Sequence, residues 1–538
     1  MTFNKFPPKK PDTSHLIKPN VKHIWSDYQK ELFRSIAKYD GHIIVEALAG
    51  AAKTSSIVEG FKYVPKGKNS LVLAFNKIIQ EELRSRAPSY IRDIMTFHSL
   101  GFRAIKQRFG NVELDDYKVI NLVKDQLGKD TDFDLITNIR DTVAFCKYGL
   151  VDIPDQIDNL IDRFGIDTCE MDRELFIKTV IKTLGLCKLQ TNKIDFNDMC
   201  WMWYIYNLPL GQYDLCFIDE RQDLNKSQLL MARKATKTNG GRIIAVGDEN
   251  QACYSWRYAD TSIIDDLKRQ DNCKVLPLPI SYRCPKAIIA LCKNWVPDIV
   301  CPDTAIEGEI NDISINELYD KAKPGCFILS RTNAPMIKIA MSLIRRGIKA
   351  NIRGRDIGKQ LSYLIKKSKK KQIPAFLKWL DRWKEDEVSK LKEKNINTEN
   401  VLDRHECLVN ICDECSSLEE VIKKIDELFN DTDEKNIIIL STTHRAKGLE
   451  RDDVFVLRWT YRLWLDNTDI IEKPNEEMNL AYISISRCRK RLFIVHKFPQ
   501  PKQDTYYENQ LFIEPNTGRT YLKNPTFLMG ENDREDEP

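Results

Sequence analysis

Three short apolar runs along the chain are each followed by polar or small residues. They lie at 42–45, within 214–218 and at 242–246. Such runs are typical of strands in an open parallel sheet, whose ligands bind in the crevice beyond the carboxyl ends of the strands. The pattern therefore predicts an α/β fold in which Lys53, Glu220 and Gln251, which follow these strands, surround one pocket.

The turn after the first strand has the residue types that cradle a nucleotide triphosphate. Small residues lead into Lys53 and Thr54, and a helical stretch follows at 55–61. Backbone N–H groups and a helix N-terminus would face the phosphates of ATP, Lys53 would reach the β- and γ-phosphates, and Thr54 would hold Mg²⁺. The residues of this candidate phosphate loop are Ala49, Gly50, Ala51, Ala52, Lys53 and Thr54.

The loop departs from the strict phosphate-loop pattern at one position, where Ala52 stands in place of the glycine before the lysine. Taken alone, the turn is also compatible with an ordinary strand-to-helix connection. If the position requires a positive φ, the methyl group costs about 1 kcal/mol. We therefore expect ATP binding to be weakened rather than abolished.

Two adjacent acids end the second apolar run. Asp219 is placed to hold Mg²⁺, and Glu220 is placed to orient and deprotonate the attacking water, as phosphoryl transfer requires. One such pair also fits a solvated acidic turn, but another strand ends in polar residues at 247–251. Because a second strand also ends in polar residues, a nucleotide site is favoured over a solvated acidic turn.

Ten short motifs follow one another along the chain, at 25–29, 47–54, 73–77, 96–98, 218–223, 246–259, 281–283, 330–333, 441–450 and 480–487. Their order and spacing resemble the superfamily 1 helicases of the UvrD/Rep/PcrA group, from about residue 24 to 496. Within that group, residues 46–50 and 74–77 look most like the F-box DNA helicase branch, although no F-box is evident.

The resemblance implies two RecA-like P-loop motor domains, each a parallel sheet flanked by helices and each interrupted by a mostly helical insertion. The implied boundaries are a flexible N-terminus at 1–19, a first motor domain at 20–105 and 195–278 with an insertion at 106–194, a second motor domain at 279–357 and 436–500 with a short insertion at 358–435, and a C-terminal tail at 501–538. The tail is expected to be irregular.

The resemblance also completes the nucleotide site from both motor domains. Gln29 would read the adenine edge, Tyr282 would stack on the base, and Glu450 would touch the ribose. Arg283 and Arg487 would reach the γ-phosphate from the second domain, where a permanently charged guanidinium stabilises the transferring phosphoryl group. Hydrolysis would then depend on closure of the cleft between the domains.

The resemblance implies that the protein binds single-stranded DNA and translocates along it. Gln251 would sense the γ-phosphate and pass its presence to an aromatic and cationic group just downstream, on whose rings unpaired bases can stack without sequence preference. Outside the resemblance, an aromatic near a strand end could equally belong to the core. The predicted DNA contacts are Phe75, Thr96, His98, Tyr254, Trp256, Arg257 and His444.

Composition agrees with this class of protein. A chain of 538 residues with 42% hydrophobic residues predicts three or four domains. The formal net charge of +5 is small for this length, so a DNA groove must be a local basic surface. The 15 cysteines occur singly, and neither an apolar leader nor a run of about 18 apolar residues is present, so we expect a soluble intracellular protein with no membrane partner.

Two further features of the sequence concern a possible zinc site and the position of Arg221. One group has ligand types for zinc at plausible spacings, but two of its cysteines also fall on the buried stripe of an amphipathic helix. The members of that group are His405, Cys407, Cys412 and Cys415. Arg221 stands where the family usually has a small residue, and we expect it at a surface.

The sequence thus predicts an ATP- and Mg²⁺-dependent DNA helicase that acts on single strands and single-to-double-strand junctions, in replication, repair or recombination, with proteins of those processes as partners. The resemblance alone implies 3′-to-5′ polarity. One alternative is a translocase that strips proteins from single strands with little unwinding, which a short second insertion would suit. Another is a hydrolysis-deficient DNA-binding scaffold, against which the intact residues for magnesium and water argue.

Overall fold

The computed structural model of the chain describes residues 24–253, 262–269, 272–393, 398–429, 436–461, 474–497, 511–513 and 520–522. The predicted flexible N-terminus at 1–19 lies outside these residues, and so does most of the predicted tail at 501–538.

Residues 27–278, here called lobe 1, alternate strands and helices and carry a mostly helical segment at 113–194, here called the first insert. The elements before it are α1 (Asp27–Lys38), β1 (His42–Ala47), α2 (Lys53–Gly60), β2 (Ser70–Ala74), α3 (Lys77–Arg86), β3 (Asp93–Thr96) and α4 (Phe97–Phe109). The first insert comprises β4 (Glu113–Leu114), α5 (Lys118–Leu127), α6 (Phe133–Gly149), α7 (Pro154–Phe164), α8 (Arg173–Leu189) and β5 (Lys193–Ile194). Lobe 1 is completed by α9 (Asp198–Ile205), β6 (Leu215–Ile218), α10 (Lys226–Ala235), β7 (Arg242–Gly247), α11 (Ser262–Lys268) and β8 (Cys273–Leu278).

The longer strands of lobe 1 form a six-stranded parallel sheet in the order β3-β2-β6-β7-β1-β8. Successive side chains point to opposite faces of a strand. Ile43 and Val45 accordingly pack in one core with α1, α2 and α3, while Ile44 packs in a second core with the helices of the first insert. All residues of β2, β6 and β7 are buried, because both faces of the sheet are covered.

Residues 279–496, here called lobe 2, repeat this plan and carry a helical segment at 355–428, here called the second insert. Before it lie α12 (Lys286–Cys292), β9 (Glu309–Ser314), α13 (Ile315–Lys321), β10 (Phe327–Ser330), α14 (Ala334–Arg345) and β11 (Ala350–Ile352). The second insert comprises α15 (Arg355–Ser368), α16 (Ile373–Glu393), α17 (Glu399–Cys412) and α18 (Leu418–Leu428). Lobe 2 ends with β12 (Ile438–Thr442), α19 (Thr443–Ala446), β13 (Arg451–Leu457), α20 (Pro474–Ile485) and β14 (Cys488–His496).

The sheet of lobe 2 is also six-stranded and parallel, in the order β11-β12-β10-β13-β14-β9. Phe327 and Leu329 of β10 face a core with α12 and α20, whereas Ile328 faces a core with the second insert. Two parallel sheets flanked by helices are the predicted α/β fold class of two RecA-like domains, and that prediction is confirmed.

Lobes 1 and 2 share buried surface beside the phosphate loop. Ala49 and Cys253 of lobe 1, both fully buried, belong to the same apolar core as Ile288 of α12 and Ile483 of α20. The two inserts also touch each other, because the rings of Phe133 and Tyr363 lie 4.7 Å apart and Lys367 pairs with Asp134. The lobes therefore meet at two separate places.

Beyond residue 500, the described residues form two short strands, β15 (Leu511–Ile513) and β16 (Thr520–Leu522), which pair antiparallel. The expectation of an irregular tail is wrong for these residues, and the residue types at these positions of the sequence are ones that favour strands. Among the described helices, none is both long enough and apolar enough to cross a bilayer.

Charged side chains are buried together at the base of the first insert. Lys118 Nζ lies 2.7 Å from Asp198 Oδ2, Lys147 Nζ lies 2.7 Å from Asp198 Oδ1, and Lys147 also pairs with Asp195. The relative exposure of these four residues is 6% or less. Because two positive charges meet two negative charges, each ion has partners that offset its loss of hydration. The cluster ties α5 and α6 to the turn before α9.

Removing one member of this cluster should destabilise the protein strongly. We expect Asp198→Ala to lower the free energy of unfolding by about 3 to 5 kcal/mol, because both lysines would stay buried without their shared carboxylate. Glu113→Ala removes an exposed carboxylate of the same insert, 3.7 Å from Lys193, and should change stability little. Chemical denaturation followed by circular dichroism tests both, and equal effects would contradict this account.

Candidate nucleotide and DNA site

The candidate phosphate loop lies between β1 and α2. Gly50 has a φ of +75°, and a Cβ at this position would collide with Ser281 Oγ and lie 2.8 Å from Arg283 Cβ. Gly50 is thus required both by its backbone conformation and by the close approach of lobe 2. The N-terminus of α2 has no side-chain cap, which leaves its first N–H groups available to an anion.

Ala52, the departure from the strict pattern, has φ 57° and ψ 41°. This is the left-handed conformation, in which the Cβ of an L-residue crowds the following carbonyl oxygen. The carbonyl oxygen of Ala52 accepts hydrogen bonds from Ser56 N and Ser56 Oγ at 2.8 and 2.9 Å, so the strained residue starts α2. The condition under which the methyl group was expected to be costly, a positive φ at Ala52, is therefore met.

The predicted catalytic and metal-binding side chains of lobe 1 meet beyond the ends of β1 and β6. Thr54 Oγ1 lies 3.4 Å from Asp219 Oδ2, and Lys53 Nζ lies 3.8 Å from Glu220 Oε2. Glu220, with a φ of 53°, donates its N–H to Asp219 Oδ1 at 2.9 Å, and its side chain accepts a hydrogen bond from Gln222 Nε2 at 2.6 Å. Both acids are therefore fixed in position by hydrogen bonds.

The two acids have pKa values displaced in opposite directions. Burial, and then the negative charge of Glu220, raise the pKa of Asp219. Burial also acts to raise the pKa of Glu220, but the charges of Lys53 and Lys447 outweigh it and hold the pKa below its usual range. Glu220 is thus ionised at neutral pH, whereas the raised pKa of Asp219 means that this group holds its proton more tightly than an ordinary carboxyl.

The residues predicted to bind the adenine base lie together at the mouth of the cleft. Gln29 is buried in α1, where it completes a capping box with Ser26 and donates from Nε2 to Ser56 Oγ at 2.9 Å. Tyr282 donates its hydroxyl to Gln29 Oε1 at 3.3 Å, and its N–H donates to Gly50 O at 2.9 Å. Tyr282 as a whole is 45% exposed, which leaves its side chain open to a stacking partner.

Arg283 and Glu450, both predicted nucleotide contacts, form an ion pair with each other. Arg283 NH1 also donates to Ser486 O at 3.4 Å, and Arg489 NH1 lies 3.6 Å from Glu450 Oε1. Burial acts to raise the pKa of Glu450, but the charge of Arg283 outweighs it and lowers the pKa. The pair holds the guanidinium of Arg283 in place in this conformation.

Arg487 is buried behind α20, at 1% exposure, and every nitrogen of its guanidinium has a partner. Nε donates to Ile483 O at 2.9 Å, and NH2 donates to Ser486 Oγ at 3.1 Å and to Gln251 Oε1 at 3.3 Å. Burial, and then the charge of Arg283, lower the pKa of Arg487 to about 10, so the group stays cationic at neutral pH. Gln251 and Arg487 are in direct contact across the two lobes.

Lys447 and Asp223 form an ion pair between the lobes that the sequence did not single out. Lys447 Nζ lies 2.7 Å from both carboxylate oxygens of Asp223 and donates to Gln251 O at 2.7 Å. Burial raises the pKa of Asp223 to about 6, against the opposing charge of Lys447. Both residues lie inside motifs that carry the family resemblance, at 218–223 and 441–450. Their place in those motifs was the sequence feature from which they could have been singled out.

The predicted DNA contacts come from neighbouring elements. Thr96 pairs in register with Ala74, the residue before Phe75, and caps α4 by accepting from Ser99 N at 3.1 Å. His444 lies in α19 of lobe 2. Tyr254, Trp256 and Arg257 lie outside the described residues, so these predicted contacts stay predictions.

His98 stacks on Phe196, which the sequence did not single out. The ring centroids lie 3.8 Å apart with an interplanar angle of 22°, and Phe196 is 54% exposed. Burial lowers the pKa of His98 to about 4, so the imidazole is neutral at physiological pH. His98 therefore presents an aromatic and polar surface rather than a positive charge.

The zinc alternative is not supported by the geometry. Cys407 and Cys412 are buried in α17 together with Leu408 and Ile411, whereas His405 pairs with Asp381. Within the described ranges, no group of three or more His, Cys, Asp or Glu residues is arranged to hold a metal ion. The helix-core interpretation accounts for these cysteines.

Arg221 contradicts the expectation of a surface position. It is 2% exposed, and its NH2 donates to Glu249 Oε1 at 2.9 Å. Lys268 Nζ also lies 2.8 Å from Glu249 Oε1 and 2.7 Å from Glu46 Oε1. The expectation failed because Glu249, which pairs with Arg221, is distant in sequence and approaches it only in the fold.

Two parallel RecA-like sheets, with a small-residue turn leading into the lysine and threonine of α2, define the class of two-domain P-loop proteins. The family model of the UvrD/REP helicase N-terminal domain matches residues 28–272, and that of the UvrD-like helicase C-terminal domain matches residues 355–497. Since these matches together span well over half of the chain, the protein belongs to the UvrD-like helicase family, and the resemblance inferred from its motifs is confirmed.

Individual relatives of the chain are also named as DNA helicases. The chain is similar to F-box DNA helicase protein 1 of Schizosaccharomyces pombe, with 25% identity over 88% of this chain and 58% of that protein. It is 24% identical to a probable DNA helicase of Mycoplasma pneumoniae over 88% of this chain and 84% of that protein, and 22% identical to ATP-dependent DNA helicase PcrA of Bacillus subtilis over 59% and 49%. The chain spans 40% to 58% of the length of the first three curated relatives it matches.

Ala52→Gly should stabilise the protein. Glycine adopts the left-handed conformation of this position without the steric cost, so we expect a gain of about 0.5 to 1 kcal/mol in the free energy of unfolding, net of the entropy of the unfolded chain. Ala51→Gly serves as the matched control, because Ala51 is buried and is not among the positive-φ residues. Chemical denaturation measures both, and a gain in the control or a loss in Ala52→Gly would contradict the strain argument.

Protonation of His98 should destabilise the fold. The unfolded chain binds this proton near the ordinary pKa of 6.5, whereas the folded protein binds it only near 4, so stability is lost as pH falls through that window. Between pH 7 and 4.5, we expect the wild type to lose about 2 kcal/mol more than His98→Phe, which keeps a ring against Phe196. Urea denaturation at several pH values is the measurement, and parallel curves would contradict burial as the cause.

Proposed function

We propose that this protein is an ATP-dependent DNA helicase that translocates on single-stranded DNA with 3′-to-5′ polarity and unwinds duplex DNA at junctions. The observation that carries the proposal is the contact of Arg487 of lobe 2 with Gln251 of lobe 1, 3.3 Å apart, beside the ion pair of Lys53 with Glu220. A nucleotide site built from both lobes couples hydrolysis to their relative motion. The inferred setting is intracellular replication, repair or recombination.

In this proposal, the N-terminus of α2 and Lys53 bind the phosphates of ATP. The hydroxyl of Thr54 and the carboxylate of Asp219 are hard oxygen donors 3.4 Å apart, a donor set that fits Mg²⁺. Magnesium would neutralise charge on the phosphate oxygens. Glu220, ionised and held by Gln222, orients the attacking water and accepts its proton.

Lobe 2 supplies the remaining charges. Arg487 is already bonded to Gln251, so a γ-phosphate could engage both residues at once. Arg283 would exchange Glu450 for the same group, and Glu450, which also pairs with Arg489 at 3.6 Å, would then bind the ribose hydroxyl. Guanidinium groups at this point are worth on the order of 10³-fold or more in rate. Because Arg283 would exchange Glu450 for the γ-phosphate, closure of the cleft between the lobes would depend on the bound nucleotide.

DNA would cross both lobes along the carboxyl edges of their sheets. Phe75, Thr96 and His98 of lobe 1 and His444 of lobe 2 are the proposed contacts among the described residues, and the aromatic group at 254–257 would add stacking. The proposed motor domains are 20–105 with 195–278 and 279–357 with 436–500. If the two lobes bind the DNA tightly in alternation, the single-stranded DNA would move past the protein.

Stripping of proteins from single-stranded DNA remains the second candidate function. It is favoured by the small second insert, which consists of α15 to α18 alone among the described residues of 355–428. Strand displacement on substrates with 3′ or 5′ single-stranded tails, compared with displacement of a protein bound to a single strand, separates the two functions and tests polarity. Unwinding from 3′ tails is the expected outcome.

ATP hydrolysis with Mg²⁺ should be strongly stimulated by a single-stranded oligonucleotide. We expect Lys53→Ala and Glu220→Gln to lower the stimulated rate by about 10²-fold or more, because each removes a group that acts on the transferring phosphate or the water. Lys62→Ala provides the matched control, since Lys62 pairs on the surface with Glu59 at 2.7 Å. A wild-type rate no higher than that of the Glu220→Gln variant would favour the DNA-binding scaffold instead.

A further inference from the structure

Tyr482 of α20 reaches from lobe 2 into the phosphate loop of lobe 1. Its side chain is fully buried, and its hydroxyl oxygen accepts a hydrogen bond from Ala49 N at 2.8 Å. The same hydroxyl donates to Asp248 Oδ2 at 3.4 Å. A single phenol therefore joins the start of the phosphate loop to the acid that follows β7.

The hydrogen-bonded chain continues from Asp248 to the predicted γ-phosphate contacts. Asp248 Oδ2 also accepts from Gln251 Nε2 at 2.6 Å, and Gln251 Oε1 accepts from Arg487 NH2 at 3.3 Å. All five members, from Ala49 to Arg487, are at most 3% exposed. Water cannot readily replace a link in a chain buried this deeply.

A phenol suits the middle of this chain because it accepts and donates at once. Burial, and then the negative charge of Asp248, raise the pKa of Tyr482 well above its ordinary value, so the hydroxyl keeps its proton. Phenylalanine would fill the same space but would leave the Ala49 N–H and one Asp248 contact unpaired. The hydroxyl can therefore be tested apart from the packing of the ring.

We propose that Tyr482 is a positioning residue that links recognition of the γ-phosphate by Gln251 and Arg487 to the conformation of the phosphate loop. This inference rests on the proposed ATP site. Without the hydroxyl, the loop still binds the α- and β-phosphates, but engagement of Gln251 and Arg487 no longer sets its conformation. Tyr482 thus determines how well the protein distinguishes a nucleoside triphosphate from a diphosphate.

The test compares Tyr482→Phe with the wild type in binding Mg·ADP and a non-hydrolysable Mg·ATP analogue, using fluorescent nucleotides. We expect the Kd for Mg·ADP to change by less than about threefold and the Kd for the analogue to rise by about tenfold. In steady-state hydrolysis with single-stranded DNA, kcat should fall by about tenfold while KM for ATP changes by less than about threefold.

Tyr461→Phe is the matched control. Tyr461 is also fully buried in lobe 2, and its hydroxyl bonds to Thr443 Oγ1 instead of the phosphate loop. It should lose thermal stability without a change in the ratio of the two Kd values. If Tyr482→Phe fails to fold, Asp248→Asn interrupts the same chain and should reduce discrimination in the same direction.

Equal weakening of both nucleotides, or no change in their ratio, would overturn the role of Tyr482. A wild-type protein that binds neither nucleotide would instead refute the proposed ATP site itself. The two failures are therefore distinguishable.

Discussion

Polar groups buried between lobes 1 and 2 take several of their partners from the opposite lobe, because water does not reach them, and this constraint organises the candidate site. Lys447 pairs with Asp223, Arg487 bonds to Gln251, and the Ala49 N–H bonds to Tyr482. Each contact replaces hydration that burial has removed, so an opening movement must rehydrate these groups or offer them new partners. A triphosphate is a suitable new partner for the cations, because it carries several negative oxygens.

The sequence predicted much of this architecture because local patterns carry it. Strands buried on both faces appear as continuous apolar runs, and polar residues at their ends locate the cleft. Lys53, Thr54, Asp219 and Glu220 could be named from spacing alone, since each lies within a few residues of a strand end. The fold class and the family followed from the order of such motifs, and both are confirmed. The roles of individual residues stay predictions.

What the sequence could not predict depends on contacts between distant segments. Arg221 is buried because Glu249 approaches it, and Phe196 meets His98 because the first insert returns to lobe 1 beside α4. The pairing of Lys447 with Asp223 spans more than two hundred residues of sequence. Ala52 is a different case, because its substitution for glycine raised the question of a positive φ that only the backbone could answer.

The contact between the two inserts has a mechanical consequence. Phe133 and Lys367 mark a junction of the inserts, while Ala49 and Tyr482 mark a junction of the lobes themselves. The junction of the lobes also contains the Lys447–Asp223 and Arg487–Gln251 contacts, so it is an extended buried interface and not a single pivot. A wide separation of the two lobes must therefore break this interface and must also part the two inserts at Phe133 and Tyr363.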